Sequence, residues 1–397
     1  MKITAIEMLV CGAGWRPWSF VKIGTDEGLV GYGEVSEGRN LYGVMGCVRD
    51  LESVLLGRDP RPVELLNVDM QRIIRQSPGG VAQKAVAGID CALWDIKAKA
   101  LGVPVYEMLG GPTRGRLRLY WSHCGTSRAQ FGDVIGTPPI RSLMDISALG
   151  KEVVKRGYTA LKTNIVIPGV PAKVHMPGFV GFYASRDVGI DTLDLNPSPR
   201  LLKQIEDLIG TFREAVGPEV DIALDLNLNF KTEGFKKVAK VIEPFRPMWM
   251  ELDTYDPKAL REIKESTSVP ICSGENLYAP LGYRPYFDLY ALDVAMIDVP
   301  WNGFTAAKKI ADLADAYQIN IAPHNYYSHL STLMSAHLCA ATANVRICEI
   351  DVDDVPWKSD LLTQPVEIKD GYLTVPTRPG WGADLNEKEI AKHPWSS

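Results

Sequence analysis

Six titratable residues recur about every twenty-five positions through the second half of the chain, and no other feature narrows the possible fold so far. Asp225, Glu251, Glu275, Asp298, His324 and Glu349 are spaced by 26, 24, 23, 26 and 25 residues. Each closes a short apolar run: DIALD, MWME, PICSGE, VAMID, INIAPH and RICE. Such runs read as buried parallel strands. A strand, a helix and two loops fill one period, so the unit is βα. Its unbroken repetition predicts a closed barrel, in which the C-terminal strand ends line one shared mouth. The pattern therefore gathers these acids and one histidine around a single site.

Composition bounds what can surround that barrel. The chain has 397 residues, and an α/β barrel alone uses roughly 200–250. Hydrophobic residues at 46% and charged residues at 23% suit a soluble globular protein. A net charge of −5 with no basic stripe argues against a nucleic-acid partner. No run approaches twenty apolar residues, and MKITAIEMLV lacks the marks of a signal peptide, so no membrane partner is expected. Seven scattered cysteines without a C-x-x-C read as reduced thiols in a cytoplasmic protein.

Ahead of the barrel, residues 1–10, WSFVKIGT and LVGYGEV read as three strands, the last two joined by a turn at Asp26-Glu27-Gly28. GWRPWSF reads as a loop carrying Trp15, Arg16 and Trp18, and residues 45–110 read as helical. LRLYWSHC (117–124) and YTALKTNIV (158–166) are the first two barrel strands, with a helix near 145–156 between them. The next strand waits until Asp221. The Gly/Pro-punctuated stretch 166–200 sits in that gap, beside the mouth, and is expected to form a lid together with residues 12–42. VEIKDGYLTVP, with its Asp370-Gly371 turn, is expected to return as a hairpin to the N-terminal part. The predicted organisation is an α+β capping domain over 1–115, a barrel over 116–352, and a segment over 353–397 that goes back to the cap.

The chemistry follows from the crowding of acids. Adjacent strands lie about 4.8 Å apart, so Asp225, Glu251 and Glu275 on successive strands would repel unless a cation sat among them. An all-carboxylate set selects a hard ion, Mg²⁺, one per site. Asp298 and His324 end the next two strands, so the carboxylate can hold one ring nitrogen while the other faces the site. His123 ends the first barrel strand and can face the mouth, whereas His329 and His337 read as packing residues. Lys162 and Asn164 share a face of the second strand, by the period of two.

Two further motifs complete the pattern. The run Ala85-Val86-Ala87-Gly88-Ile89-Asp90-Cys91-Ala92-Leu93-Trp94-Asp95-Ile96-Lys97-Ala98-Lys99 precedes Gly102-Val103-Pro104 and Leu109-Gly110-Gly111. Together with the order Lys, Asp, Glu, Glu, Asp, His, Glu on successive strands, it resembles the mandelate racemase subgroup of the enolase superfamily, and within it the acid-sugar dehydratases. The resemblance covers nearly the whole chain. It implies a modified (β/α)₇β TIM barrel with an α+β cap, and a Mg²⁺ ion that stabilises an enediolate formed by removing the proton α to a carboxylate. Carried over by position, Asp225, Glu251 and Glu275 bind the metal. His324 with Asp298 is the acid–base pair, and Glu349 and Lys162 act beside the substrate carboxylate. Asn227 matches a polar position of the family.

One departure decides between reactions. Racemising members carry Lys-x-Lys on the second strand, and here the second lysine is Asn164. An amide does not exchange a proton at neutral pH, so one face of the α-carbon lacks a base. The expected activity is therefore dehydration of an aldonate or aldarate to a 2-keto-3-deoxy acid. Arg16, His123, Asn164, Asn227 and Trp301 are the expected substrate contacts, with Arg39, Asn40, Tyr42 and Asn302 adding polar groups around the mouth. A racemase or epimerase using Lys162 as second base, a cycloisomerase, and a catalytically silent metal-binding scaffold are the alternatives. A small sugar acid is the expected partner, and a homo-oligomer the expected assembly.

Overall fold

The computed structural model describes residues 1–36, 39–177 and 195–395. The chain opens with an antiparallel sheet of β1 (Ile3–Ala13), β2 (Arg16–Thr25) and β3 (Val30–Glu34), with β2 in the centre. Helices α1 (Leu41–Glu52), α2 (Val63–Ile73) and α3 (Gly80–Leu101) come next. The run GWRPWSF is therefore not a loop: only Gly14 and Trp15 turn, and Arg16 already starts β2. Pro17 is tolerated there because β3 pairs with β2 only from Phe20 onward, which leaves the strand one-sided at the proline. Helix α3 is buried along most of its length. It lies so close to β3 that a Cβ on Gly31 would sit 2.2 Å from Ala92 O, and one on Gly33 2.1 Å from Gly88 O. Glycine in the strand is what lets this helix seat.

Among the described residues, eight parallel strands form the barrel: β4 (Arg116–Ser122), β5 (Ala160–Thr163), β8 (Asp221–Asp225), β9 (Trp249–Glu251), β10 (Ile271–Ser273), β11 (Val294–Asp298), β12 (Asn320–His324) and β13 (Cys348–Asp351). A small hairpin, β6 (Val166–Ile167) with β7 (Lys173–Val174), comes after β5 and opens the long excursion before β8. Residues 178–194 of the expected lid lie outside the described residues. Strand β13 pairs with β4, and a parallel bridge from Ile321 to Val345 ties β12 to its approach, which closes the ring. The interior is filled by Tyr120, Ala160, Ala223, Trp249, Cys272, Met296, Ala322 and Ile347, small residues set among large ones.

That filling fixes the mouth. Side chains alternate along a strand, so the residue two positions after each inward residue also points inward, one layer nearer the C-terminal end. Two beyond Tyr120, Ala160, Ala223, Trp249, Met296, Ala322 and Ile347 stand Ser122, Lys162, Asp225, Glu251, Asp298, His324 and Glu349. The third acid is the exception. Two beyond Cys272 is Gly274, and Glu275 lies one further on.

The C-terminal hairpin, β14 (Ile368–Lys369) and β15 (Tyr372–Thr374), does not return to the cap sheet. It pairs antiparallel with the outer end of β4, Tyr372 opposite Arg118, because that segment of β4 extends past the barrel wall and offers a free edge. The chain beyond the hairpin does reach the cap. Trp381 Nε1 donates to Tyr32 O, Lys22 bonds Glu387, and Gly12 N donates to His393 O. All seven cysteines are free thiols. No helix among the described residues is long and apolar enough to cross a membrane.

Candidate active site

The mouth is built by register. Asp225 is paired directly with Glu251, and Asp298 with His324. Lys162 rises from β5, beside β8: its Nζ lies 2.5 Å from Glu251 Oε1, 2.9 Å from Glu349 Oε1 and 4.0 Å from Asp225 Oδ2. Burial opposes a charged lysine, but these carboxylates outweigh it and hold the ammonium well above its usual range. Glu349 also accepts from Ser122 Oγ and from Asn325 N. Burial works against its charge too. Lys162, then His324 and His123, still bring its carboxyl down to about 2, so Glu349 is a fixed anion facing the lysine.

His324 Nδ1 stands 2.6 Å from Asp298 Oδ2. Tyr327 OH donates to the same oxygen at 2.6 Å, and Trp301 N to the other at 2.7 Å. A carboxylate only accepts, so Nδ1 carries its proton and Nε2 is directed at the site. There Glu275 Oε2 lies 3.4 Å away. Burial pulls the ring's pKa down, yet Glu275 and the Asp298 bond raise it to about 10.

Each of the three acids assigned to a metal has its own holder. Asp225 Oδ2 accepts from Asn164 Nδ2 (3.0 Å) and Asn227 Nδ2 (3.2 Å), and its Oδ1 from Asn227 N (2.9 Å). Glu251 Oε2 accepts from Trp249 Nε1 at 3.0 Å. Glu275 sits in a turn whose flanks bond to Asp253: Gly274 N donates at 3.2 Å and Asn276 Nδ2 at 2.7 Å. Among the described residues, no three His, Cys, Asp or Glu side chains close into a metal cage. Lys162 engages Glu251, and His324 engages Glu275. The donor set still fits a hard divalent cation, being buried and entirely of carboxylate oxygens. Burial first, and Asp225 working against Lys162, push Glu251 up to about 8. Burial, then Asp253, Asp225 and Glu251 working against His324, push Glu275 well up. Acids so placed are relieved by a positive ion.

The expected substrate contacts divide. Asn164 does not face open space: its Nδ2 is on Asp225, and its Oδ1 accepts from Thr126 Oγ1 at 3.0 Å. Arg16 is also drawn into the protein. Its Nη2 pairs with Asp354 (2.9 Å) and Asp351 (3.4 Å) and donates to Tyr326 O, since a buried guanidinium needs acids around it. His123 Nδ1 lies 2.7 Å from Asp351 Oδ1, and its ring meets Tyr326, which in turn meets His324. Trp301 is buried with its ring centroid 5.7 Å from that of His324, under the Lys84 ammonium at 3.5 Å. Asn302 braces backbone, with Nδ2 on Asp298 O and Leu277 O, while Tyr42 is exposed. Buried His329 and His337 are held uncharged, near 3, first by burial. Sequence reasoning does not single out Asp253, Ser122, Trp249 or Asn325, all of which serve the site. The period of two that picks out Asn164 would also find Asp253 beyond Glu251 and Ser122 beyond Tyr120. Asn325 reaches the Glu349 carboxylate through its backbone amide, which no side-chain pattern reveals.

A capped barrel with acids, a buried lysine and an Asp-held histidine on its C-terminal strand ends is of the class that does acid–base chemistry on small molecules at that face. The chain belongs to the mandelate racemase/muconate lactonizing enzyme family of the enolase superfamily. Residues 2–110 match the mandelate racemase/muconate lactonizing enzyme N-terminal domain, and residues 145–389 the enolase C-terminal domain-like family. The chain is 30% identical over 387 residues to a D-gluconate dehydratase of Thermoproteus tenax, spanning 96% of this chain and 71% of that protein. It is 28% identical to a D-xylonate dehydratase of Haloferax volcanii, spanning 96% and 86%. Among solved structures, a candidate L-alanine-DL-glutamate epimerase of Burkholderia xenovorans, bound to magnesium and fumarate, superposes with a TM-score of 0.94 at 38% identity, covering 99% of this chain and 96% of that one.

Proposed function

We propose that the protein dehydrates an acid sugar, an aldonate or aldarate, to a 2-keto-3-deoxy acid. One observation carries the choice over racemisation. Asn164, at the position of the second lysine of racemising members, is bound to Asp225, and Lys162 is pinned as an ammonium between Glu251 and Glu349. That leaves a base on one face only. The sugar-acid dehydratases at 28–30% identity support the same reading. The epimerase candidate at 38% keeps the epimerase alternative in view.

Mg²⁺ held by Asp225, Glu251 and Glu275 would supply the positive charge that makes a proton next to a carboxylate acidic. The chain's own groups do the rest. Glu275 is the main group that keeps the ring protonated, so with its charge taken up by the cation the imidazole would be neutral. His324 Nε2 then takes the α-proton, and the Cα–H electrons become the Cα=Cβ bond as the Cβ–O bond breaks. The imidazolium, held by Asp298 and Tyr327, returns the proton to the departing hydroxyl, which leaves as water. The enol then tautomerises to the ketone. Lys162 stands where it would meet the substrate carboxylate.

The test is a panel of aldonates and aldarates incubated with protein and Mg²⁺ and followed for 2-keto acid. At least one is expected to give product with a mass lower by one water. Exchange of the α-proton in D₂O with inversion and no loss of water, across the panel, would replace this reading with the epimerase.

A further inference from the structure

We infer that Asp253 is a positioning residue that sets Glu275, and through it the cation site; this rests on the reading of Asp225, Glu251 and Glu275 as the metal acids. The need for such a residue comes from the barrel's register. Six of the other mouth side chains, Lys162, Asp225, Glu251, Asp298, His324 and Glu349, reach the site simply by standing two positions beyond an interior residue. Glu275 does not. Cys272 is the interior residue of β10, Gly274 takes the inward place after it, and Glu275 would point to the outside of the barrel if the chain continued as a strand.

The chain turns instead. Gly274 has φ of +118°, a conformation that side-chain-bearing residues rarely adopt. A glycine turn is cheap to form but also cheap to lose, so something must hold it. Tyr283 OH holds the carbonyl side, donating to Gly274 O at 2.8 Å. Asp253 holds the rest. Its Oδ1 accepts from Ser273 Oγ at 3.3 Å and Gly274 N at 3.2 Å, before Glu275, and its Oδ2 accepts from Asn276 Nδ2 at 2.7 Å, after it. One buried carboxylate thus grips both neighbours of the acid whose aim is not given by the strand. Its own amide donates to Asn227 O at 3.0 Å, in the loop after Asp225, so the same residue links the first and third acids. A turn that only needed capping would be served by one oxygen. Two oxygens engaged on opposite sides of Glu275, on a carboxylate only 8% exposed, match a holder of a ligand's orientation.

The experiment uses the full chain and measures Mg²⁺ binding by calorimetry in wild type, E251Q, D253N, D253E and N276A, with melting curves for each in chelator. D253N keeps size but places an amide where both oxygens accept. It is expected to bind Mg²⁺ about 10–100-fold more weakly, the range for partners of metal ligands. N276A, which frees the far grip together with the 3.4 Å contact from Asn276 Nδ2 to Glu275 Oε1, is expected to shift affinity the same way by less, and D253E to recover part of it. In turnover, D253N is expected to need more Mg²⁺ while its rate at saturating Mg²⁺ stays within a few fold of wild type. Mg²⁺ affinity equal to wild type in D253N, with E251Q weakened, overturns this inference alone. Equal affinity in E251Q as well overturns the metal reading beneath it. Should D253N fail to melt cooperatively, N276A decides, and wild-type affinity in N276A rejects the grip.

Discussion

At the residue scale the site is a set of buried charges, none held by a single bond. Asp298 is the clearest case: its two oxygens take His324 Nδ1, Tyr327 OH and Trp301 N. The carboxylate therefore cannot swing away, and the ring it holds presents Nε2 to the site. If one histidine both takes the α-proton and protonates the leaving hydroxyl, His324→Asn removes both steps. The loss is expected to exceed about a hundredfold, the lower end for a positioned acid–base group. Deuterium exchange at the α-carbon should fall with it, while Mg²⁺ affinity persists because the imidazole is not among the assigned ligands. Exchange at the wild-type rate in that variant would make Lys162 an independent base and return the two-base epimerase to the front.

At the scale of elements, buried acids of the cap bond to the starts of barrel helices. Glu34, at the end of β3, accepts from Ser328 N, Ser328 Oγ and Ser331 N at the start of helix His329–Ala340. Asp90, in α3, accepts from Thr305 N and Thr305 Oγ1 at the start of helix Phe304–Ala316, and from Asn67. Helix N-termini favour an anion, but full burial costs more than these bonds return. The net effect lifts Asp90 to about 6, burial being the largest cause. Asp90 thus binds its proton more tightly folded than unfolded. Its contribution to stability is whole below about pH 4 and is lost as the pH rises through about 6. D90N has no proton to lose, so it should gain stability relative to wild type between pH 4 and pH 6.5. Urea melts at the two pH values check this, and a constant difference between the proteins would reject it.

For the whole molecule, the acids proposed to hold the metal come from three successive βα units, 26 and 24 positions apart, so a cation between them would join separate segments of the chain. A ligand bound only by the folded state stabilises by about 2.7 kcal/mol at a hundredfold excess over its Kd. Spread over a chain of this length, that is a rise in melting temperature of about 3 °C. Mg²⁺ should produce such a rise, chelator should abolish it, and E251Q should show little of it. An equal shift with E251Q would place the cation elsewhere on the protein.

The amino-acid sequence alone determined the barrel and the strand ends on which its acids stand. Strand alternation and the βα period are local, and inward residues must recur in step with the pleat wherever a barrel closes. Asp225, Glu251, Asp298 and His324 obey that step, so position in the chain was enough to place them on neighbouring strands. Tertiary structure alone decided what each polar side chain bonds to. Arg16 meets Asp351 and Asp354 more than 330 positions away, Asn164 turns to Asp225, and the last hairpin pairs with β4. Glu275 reaches the mouth through a glycine turn gripped by Asp253. A buried donor or acceptor must find a partner, but nothing in its own neighbourhood of sequence says which distant chain segment the fold will bring to it.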